Sequence, residues 1–188
     1  MNLKNNIILL TRKLPQKIEE RLQKKYTVIL NKSDKKYTYS ELKKKVSDVD
    51  ILVPCISDTI DASIIKAARK LKLISNFGNG VDNLDLITAK ENKVIVTNTP
   101  DVLTEDTADL VLTMILMISR KVLEAQRDLV NGNWTGWGPS ETMGTRVRGK
   151  QVGIIGMGRI GSAVAKRLQI LGMNINCLLY TSDAADDQ

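Results

Sequence analysis

The 188-residue sequence contains no histidine, only two cysteines and a single phenylalanine, and aromatic residues make up 4 % of it. Without an imidazole, these residues cannot run chemistry that uses histidine as its acid or base. The two cysteines, Cys55 and Cys177, have no pairing pattern, which excludes a disulfide framework and predicts a reducing, cytoplasmic compartment. Long apolar runs are also missing. The longest, "LVLTMILMI" from Leu110 to Ile118, is far short of the roughly 18 residues a membrane span needs, and predicts a buried helix instead. The opening "MNLKNNIILLTRK" has only the short apolar run Ile7 to Leu10, so no secretory leader is expected. No metal site is expected either.

The remaining composition is ordinary for a soluble globular protein, with 43 % hydrophobic and 26 % charged residues. The length allows one large domain or one and a half smaller ones. The formal charge of +7 raises the question of nucleic acid. Much of the excess lies in "QKIEERLQKK" and "SELKKKVSD", where helical patterns interleave the lysines with Glu19, Glu20 and Glu41. No aromatic platform for bases lies nearby. A solvated lysine-rich surface is expected, with neither nucleic acid nor membrane as a partner.

Short β-rich runs alternate with helical patterns over the first hundred residues. "NIILL" (Asn6 to Leu10), "TVIL" (Thr27 to Leu30), "DILVPC" (Asp50 to Cys55), "LKLISNF" and "KVIVTN" read as strands. Pro15 is suited to open a helix, Ser40 to cap a second one through Val46, and a third is expected over Ala62 to Leu71. A short helix is expected near Leu84 to Glu91. This alternation implies βαβ crossovers and a parallel sheet covered on both faces, a flavodoxin-like α/β pattern. Past Pro100 the pattern changes. Thr104 is a candidate N-cap, Glu105 and Asp106 suit the positive end of a helix, and one long helix is expected to run to about Val130, stopped by Gly132.

"QVGIIGMGRIGSAVAKRLQILG" carries the most chemistry. A short strand, Gln151 to Ile155, leads into G-x-G-x-x-G at Gly156, Gly158 and Gly161, and an amphipathic helix follows with Ile160, Val164, Leu168 and Leu171 on one side. Gly156 permits the tight turn, Gly158 lets backbone approach a pyrophosphate, and Gly161 allows close helix–strand packing. The phosphates then meet free N–H groups at the positive end of the helix. Gly156, Met157, Gly158, Arg159, Ile160 and Gly161 are therefore expected to bind a dinucleotide. Arg159 reads either as a phosphate contact or as a solvated loop charge.

Four stretches, "NFGNGVDNLDL", "VIVTNTPDVLTEDTADLVL", "GNWTGWGPSETMGTRVRGK" and "VGIIGMGRIG", resemble the D-isomer-specific 2-hydroxyacid dehydrogenases in that family's order. The third looks most like the glyoxylate and hydroxypyruvate reductase branch. The resemblance implies a flavodoxin-like substrate domain over residues 1–99, then the first part of a Rossmann-type doubly wound coenzyme domain over 100–176, with a cleft between them. It implies hydride transfer between NAD or NADP and a small 2-oxo or 2-hydroxy acid, and a homodimer for the full-length protein. It also implies that the loop at Gly78, Asn79 and Gly80 presents backbone N–H groups to the substrate carboxylate, with Asn79 and Gly80 the binding residues. Thr107 matches a position near the coenzyme but also reads as a helix-surface threonine. Trp134 and Trp137 are expected to pack or to form an interface, and Cys55 to take a buried, small apolar role.

The family's catalytic arginine, acid and histidine lie downstream of the glycine motif and have no matching positions here. The stretch "CLLYTSDAADD" resembles a translated adaptor sequence of the kind used in preparing DNA libraries. Residues 177–188 are therefore expected to be a non-native tail on a truncated chain, and Asp183 is not expected to be the acid that reads the coenzyme ribose. Such a chain is expected to be inactive. The alternatives are a phosphoglycerate, formate or other 2-hydroxyacid dehydrogenase, or a non-catalytic NAD-sensing corepressor of the same fold.

Overall fold

The computed structural model describes residues 5–178, which fall into two compact units divided between Pro100 and Asp101. The expected tail beyond Leu178, Asp183 included, lies outside the described residues.

In the first unit the strands are β1 (Ile7–Leu10), β2 (Thr27–Ile29), β3 (Ile51–Val53), β4 (Leu73–Ser75) and β5 (Ile95–Thr97). They form one parallel sheet in the order β2-β1-β3-β4-β5. This is the flavodoxin-like order, with its switch point between β1 and β3. Helices α1 (Gln16–Gln23), α2 (Tyr39–Lys45), α3 (Ala62–Ala67) and α4 (Leu86–Glu91) connect the strands. Leu9, Leu52 and Ile74 from the strands pack against Ile60, Ile64 and Ile65, all closed to solvent. Each such side chain contributes about 1.5–3 kcal/mol of transfer free energy.

Several boundaries differ from the sequence reading, for local reasons. Pro15 is the N-cap of α1 and not its first residue. Thr38, not Ser40, caps α2: its hydroxyl accepts from the Glu41 N–H, and the Glu41 carboxylate accepts from the Thr38 N–H. This reciprocal capping box satisfies two otherwise orphaned donors, so it outcompetes a serine already inside the turn. Helix α3 stops at Ala67, although Ala68 and Leu71 remain buried.

The second unit contains α5 (Thr104–Ser119), α6 (Val122–Val130), β6 (Gln151–Ile155), α7 (Arg159–Ile170) and β7 (Asn174–Leu178), with β6 and β7 paired in parallel. The single long helix expected from Thr104 to Val130 is in fact two. The Ser119 carbonyl accepts from the Thr145 N–H at 2.6 Å, and Lys121 turns left-handed with φ 52°. A β-carbon on Gly144 would lie 2.7 Å from the Ser119 oxygen, so only glycine lets this loop reach the break. Thr104 is the first helical residue and Leu103 the cap, with no side-chain capping bond. Ala108 of α5 shares a buried cluster with Ala163, Val164 and Leu168 of α7. Arg167 fastens the pair, donating to Glu105 at 2.7 Å and to Asp109 at 2.6 Å.

Candidate functional site

Because the first sheet is parallel, the carboxyl ends of its strands share one edge, where ligands of open α/β sheets bind. Thr11 follows β1, Pro54 and Cys55 follow β3, the run Asn76 to Gly80 follows β4, and Asn98 and Thr99 follow β5. The Gly78-Asn79-Gly80 loop is tied down through its carbonyls. The Thr99 N–H donates to Gly78 O at 2.9 Å, Asn98 Nδ2 to Asn79 O at 2.7 Å, and Asn76 Nδ2 to Gly80 O at 2.9 Å. Asn76, only 1 % exposed, exchanges two 3.2 Å amide hydrogen bonds with Asn83, whose Nδ2 also reaches the Cys55 carbonyl at 3.3 Å. A β-carbon on Gly78 would run into the Ile56 side chain. Ile56 and Phe77 stand exposed beside the loop. The expected binding pair, Asn79 and Gly80, is thus placed on a braced loop with apolar neighbours.

Cys55 is less buried than expected. It is half-buried, and its backbone N–H donates to the Thr11 hydroxyl at 3.2 Å and to the Asp58 carboxylate at 2.9 Å. Asp58 is 2 % exposed, and the Thr11 hydroxyl donates to the same oxygen, Oδ2. The other oxygen, Oδ1, has no partner among the described residues.

In the second unit, β6 leads into α7 through Gly156, whose φ of 88° is a left-handed conformation suited to glycine. Gly158 caps α7, and a β-carbon there would meet no protein atom within 4 Å. Gly161 is the opposite case, because its β-carbon would collide with the Gly156 carbonyl. The turn is therefore closed on its inner side and open at Gly158, as a phosphate cradle requires. The first turn of a helix leaves N–H groups without intrahelical acceptors, and an open groove of about 750 Å³ at the start of α7 is lined by Met157, Gly158, Arg159, Ser162, Asp101 and Thr104, among others, whereas Gly156, Ile160 and Gly161 line a separate depression. Arg159 is engaged in that groove by Asp101 at 2.8 Å. Ile160 packs toward the core, leaving its backbone to the turn. Thr107 is half-buried on α5 and does not line the groove, whereas Thr104, one turn earlier, does.

Trp134 and Trp137 are 58 % and 87 % exposed and line an open depression of about 1010 Å³ with Leu129 and Met143, so they do not pack inside the unit. Among the described residues no cluster of His, Cys, Asp and Glu could hold a metal, and no helix is long and apolar enough to cross a membrane. Sequence reasoning missed Asn76, Asn83, Asn98 and Asp58, whose partners lie up to 47 residues away. The one available signal was a polar Asn76 directly after an apolar strand.

Fold and turn together define a two-unit α/β protein with a strand–glycine turn–helix unit in its second half. Comparison with known proteins narrows this class. The family model for D-isomer specific 2-hydroxyacid dehydrogenase, catalytic domain, matches residues 8–187, and the chain belongs to that family. It is 38 % identical over 179 residues to a glyoxylate reductase of Thermococcus onnurineus, covering 93 % of this chain and 53 % of that protein. A glyoxylate reductase of Korarchaeum cryptofilum is 36 % identical over 181 residues, covering 96 % and 54 %. Among solved structures, the TT0316 protein from Thermus thermophilus superposes with a TM-score of 0.84 at 39 % identity, covering 91 % of this chain and 55 % of that one. A 2-hydroxyacid dehydrogenase from Ketogulonicigenium vulgare gives 0.74 at 32 %, covering 96 % and 57 %. The chain spans about half the length of the curated relatives it matches.

Proposed function

We propose that the chain carries two parts of an oxidoreductase that passes a hydride between NAD(P)H and a small 2-oxo acid, reducing glyoxylate or hydroxypyruvate to the 2-hydroxy acid. The reading rests above all on the turn from Gly156 to Gly161, closed against its own backbone at Gly161 and open at Gly158. The first unit acts as the substrate domain, and the second as the N-terminal portion of a coenzyme domain. When bound, the coenzyme supplies the hydride. Backbone N–H groups from Gly158 to Gly161 meet its pyrophosphate at the positive end of α7. Met157 and Ile160 contribute backbone, Arg159 its charge and Thr104 the neighbouring hydroxyl, the part that Thr107, outside the groove, does not take. Asn79 and Gly80 offer amides to the substrate carboxylate. Relatives named glyoxylate reductase support this choice of substrate.

The reading extends to the assembly. Leu110, Met114 and Ile118 form an exposed apolar stripe along α5, which supports a homodimer of the full-length protein. Two unpaired cysteines support a reducing, cytoplasmic setting.

No histidine is available in the 188 residues to donate the proton during reduction, so the chain by itself is not expected to turn over. The alternative on the same fold is an NAD-binding sensor without catalysis. Titrating NADH and NADPH into the chain while following coenzyme fluorescence tests the shared part: saturable binding supports it, and no binding of either contradicts it. Glyoxylate-dependent NADPH oxidation by a full-length form, with none by a form lacking the substrate domain, separates enzyme from sensor.

A further inference from the structure

The bonding of the loop Gly78 to Gly80 determines which way its N–H groups turn. Three successive carbonyls are occupied, by the Thr99 N–H at 2.9 Å, the Asn98 side chain at 2.7 Å and the Asn76 side chain at 2.9 Å. In a planar trans peptide the C=O and N–H point in opposite directions, and no described peptide bond is cis. Holding Gly78 O therefore turns the Asn79 N–H away from Thr99, and holding Asn79 O turns the Gly80 N–H away from Asn98. Holding Gly80 O fixes the next peptide in the same manner. The two asparagine donors are anchored differently. Asn76 is buried and locked to Asn83, which is locked in turn to the Cys55 carbonyl beyond β3. Asn98 is exposed, at the end of β5.

We propose that Asn76 and Asn98 are positioning residues, whose side-chain amides hold the Gly80 and Asn79 carbonyls so that the loop's N–H groups stay aimed at the carboxylate of the 2-oxo acid. The proposal rests on the substrate reading given above, and both residues act through the loop, not on the reacting atoms. A row of backbone donors with its carbonyls bound elsewhere binds an anion without a cationic side chain. Because the loop is already ordered, little conformational freedom is lost when the ligand arrives.

The test uses the ¹⁵N-labelled 188-residue chain, with oxamate as a non-reacting mimic of a 2-oxo acid, and compares the parent with Asn98→Ala and Asn98→Gln. Two quantities are read: the amide order of Asn79 and Gly80 without ligand, and the saturable shifts of the loop amides with oxamate. Asn98→Ala is expected to loosen the loop amides while strand amides stay as they were, and to weaken oxamate binding about fivefold, the equivalent of one hydrogen bond. Asn98→Gln, which can still donate, should recover part of both effects, whereas a purely structural role would leave oxamate affinity unmoved. Should the alanine variant unfold, the isosteric non-donor Asn98→Asp replaces it. A variant loop as ordered as the parent overturns the proposal, whatever oxamate does. A loosened loop in a chain whose parent form shows no saturable oxamate shift overturns the substrate reading and the positioning role together.

Discussion

Gly161 sits so close to the Gly156 carbonyl oxygen that a β-carbon at 161 would overlap it, while Gly158, between them, faces open space. Three glycines of one motif thus carry different loads. Gly161→Ala should cost about 1–3 kcal/mol, the range for overpacking. Gly158→Ala should leave stability within about 0.5 kcal/mol of the parent yet weaken coenzyme binding. Urea melts paired with NADPH titrations check both. Equal destabilisation by the two substitutions would contradict the division of roles.

Asp58 lies buried with Oδ2 bonded by the Thr11 hydroxyl and the Cys55 N–H. Thr11→Val removes one donor from a buried carboxylate, and a loss of about 1.5–3 kcal/mol is expected. A double-mutant cycle with Asp58→Asn should show coupling between the two sites, because each substitution removes part of the same bond. Simple additivity in urea melts would contradict the bond's importance.

The pH dependence follows from carboxylates held below their usual range. The Ile64 N–H, at 3.0 Å from Asp61 at the start of α3, is the main cause there, and the Tyr39 hydroxyl assists. Burial pushes the Asp50 carboxyl up, but the Lys72 ammonium at 2.8 Å and the Ile7 N–H bring it below its usual value on balance. A lowered folded pKa contributes stability that is fully present above the unfolded value of about 4 and is lost as the pH falls through the folded value. Asp61→Asn keeps a good cap and should flatten the acid limb with little change at neutral pH, whereas Asp61→Ala should cost about 1 kcal/mol at pH 7. Urea melts at neutral and acid pH check this.

With no histidine to donate a proton, the purified chain mixed with NADPH and glyoxylate should oxidise no coenzyme above a blank. Turnover measured by coenzyme absorbance would contradict this and require another proton donor among the 188 residues.

What could be read from the sequence was local. The strand, glycine turn and helix at Gln151 to Ile170 are contiguous, so spacing alone places the turn. The parallel sheet followed from alternating periodicities, and its order agrees with the flavodoxin-like pattern. The break between α5 and α6 was not legible, because it depends on Gly144 and Thr145 reaching Ser119 from beyond the second helix. Neither glycine nor proline marks Ser119 to Lys121. The capping box of Thr38 and Glu41 was legible from its spacing, but the nearby Ser40 competed with it. The bracing of the Gly78-Asn79-Gly80 loop joins the ends of β3, β4 and β5, and no single window of sequence contains it.

An NADPH titration of the ¹⁵N-labelled chain tests directly whether the glycine turn is a dinucleotide cradle. Saturable shifts concentrated on the amides of Gly158, Arg159, Ile160 and Gly161 are predicted. Saturation without movement of those amides, or no saturation by either NADPH or NADH, would contradict the claim.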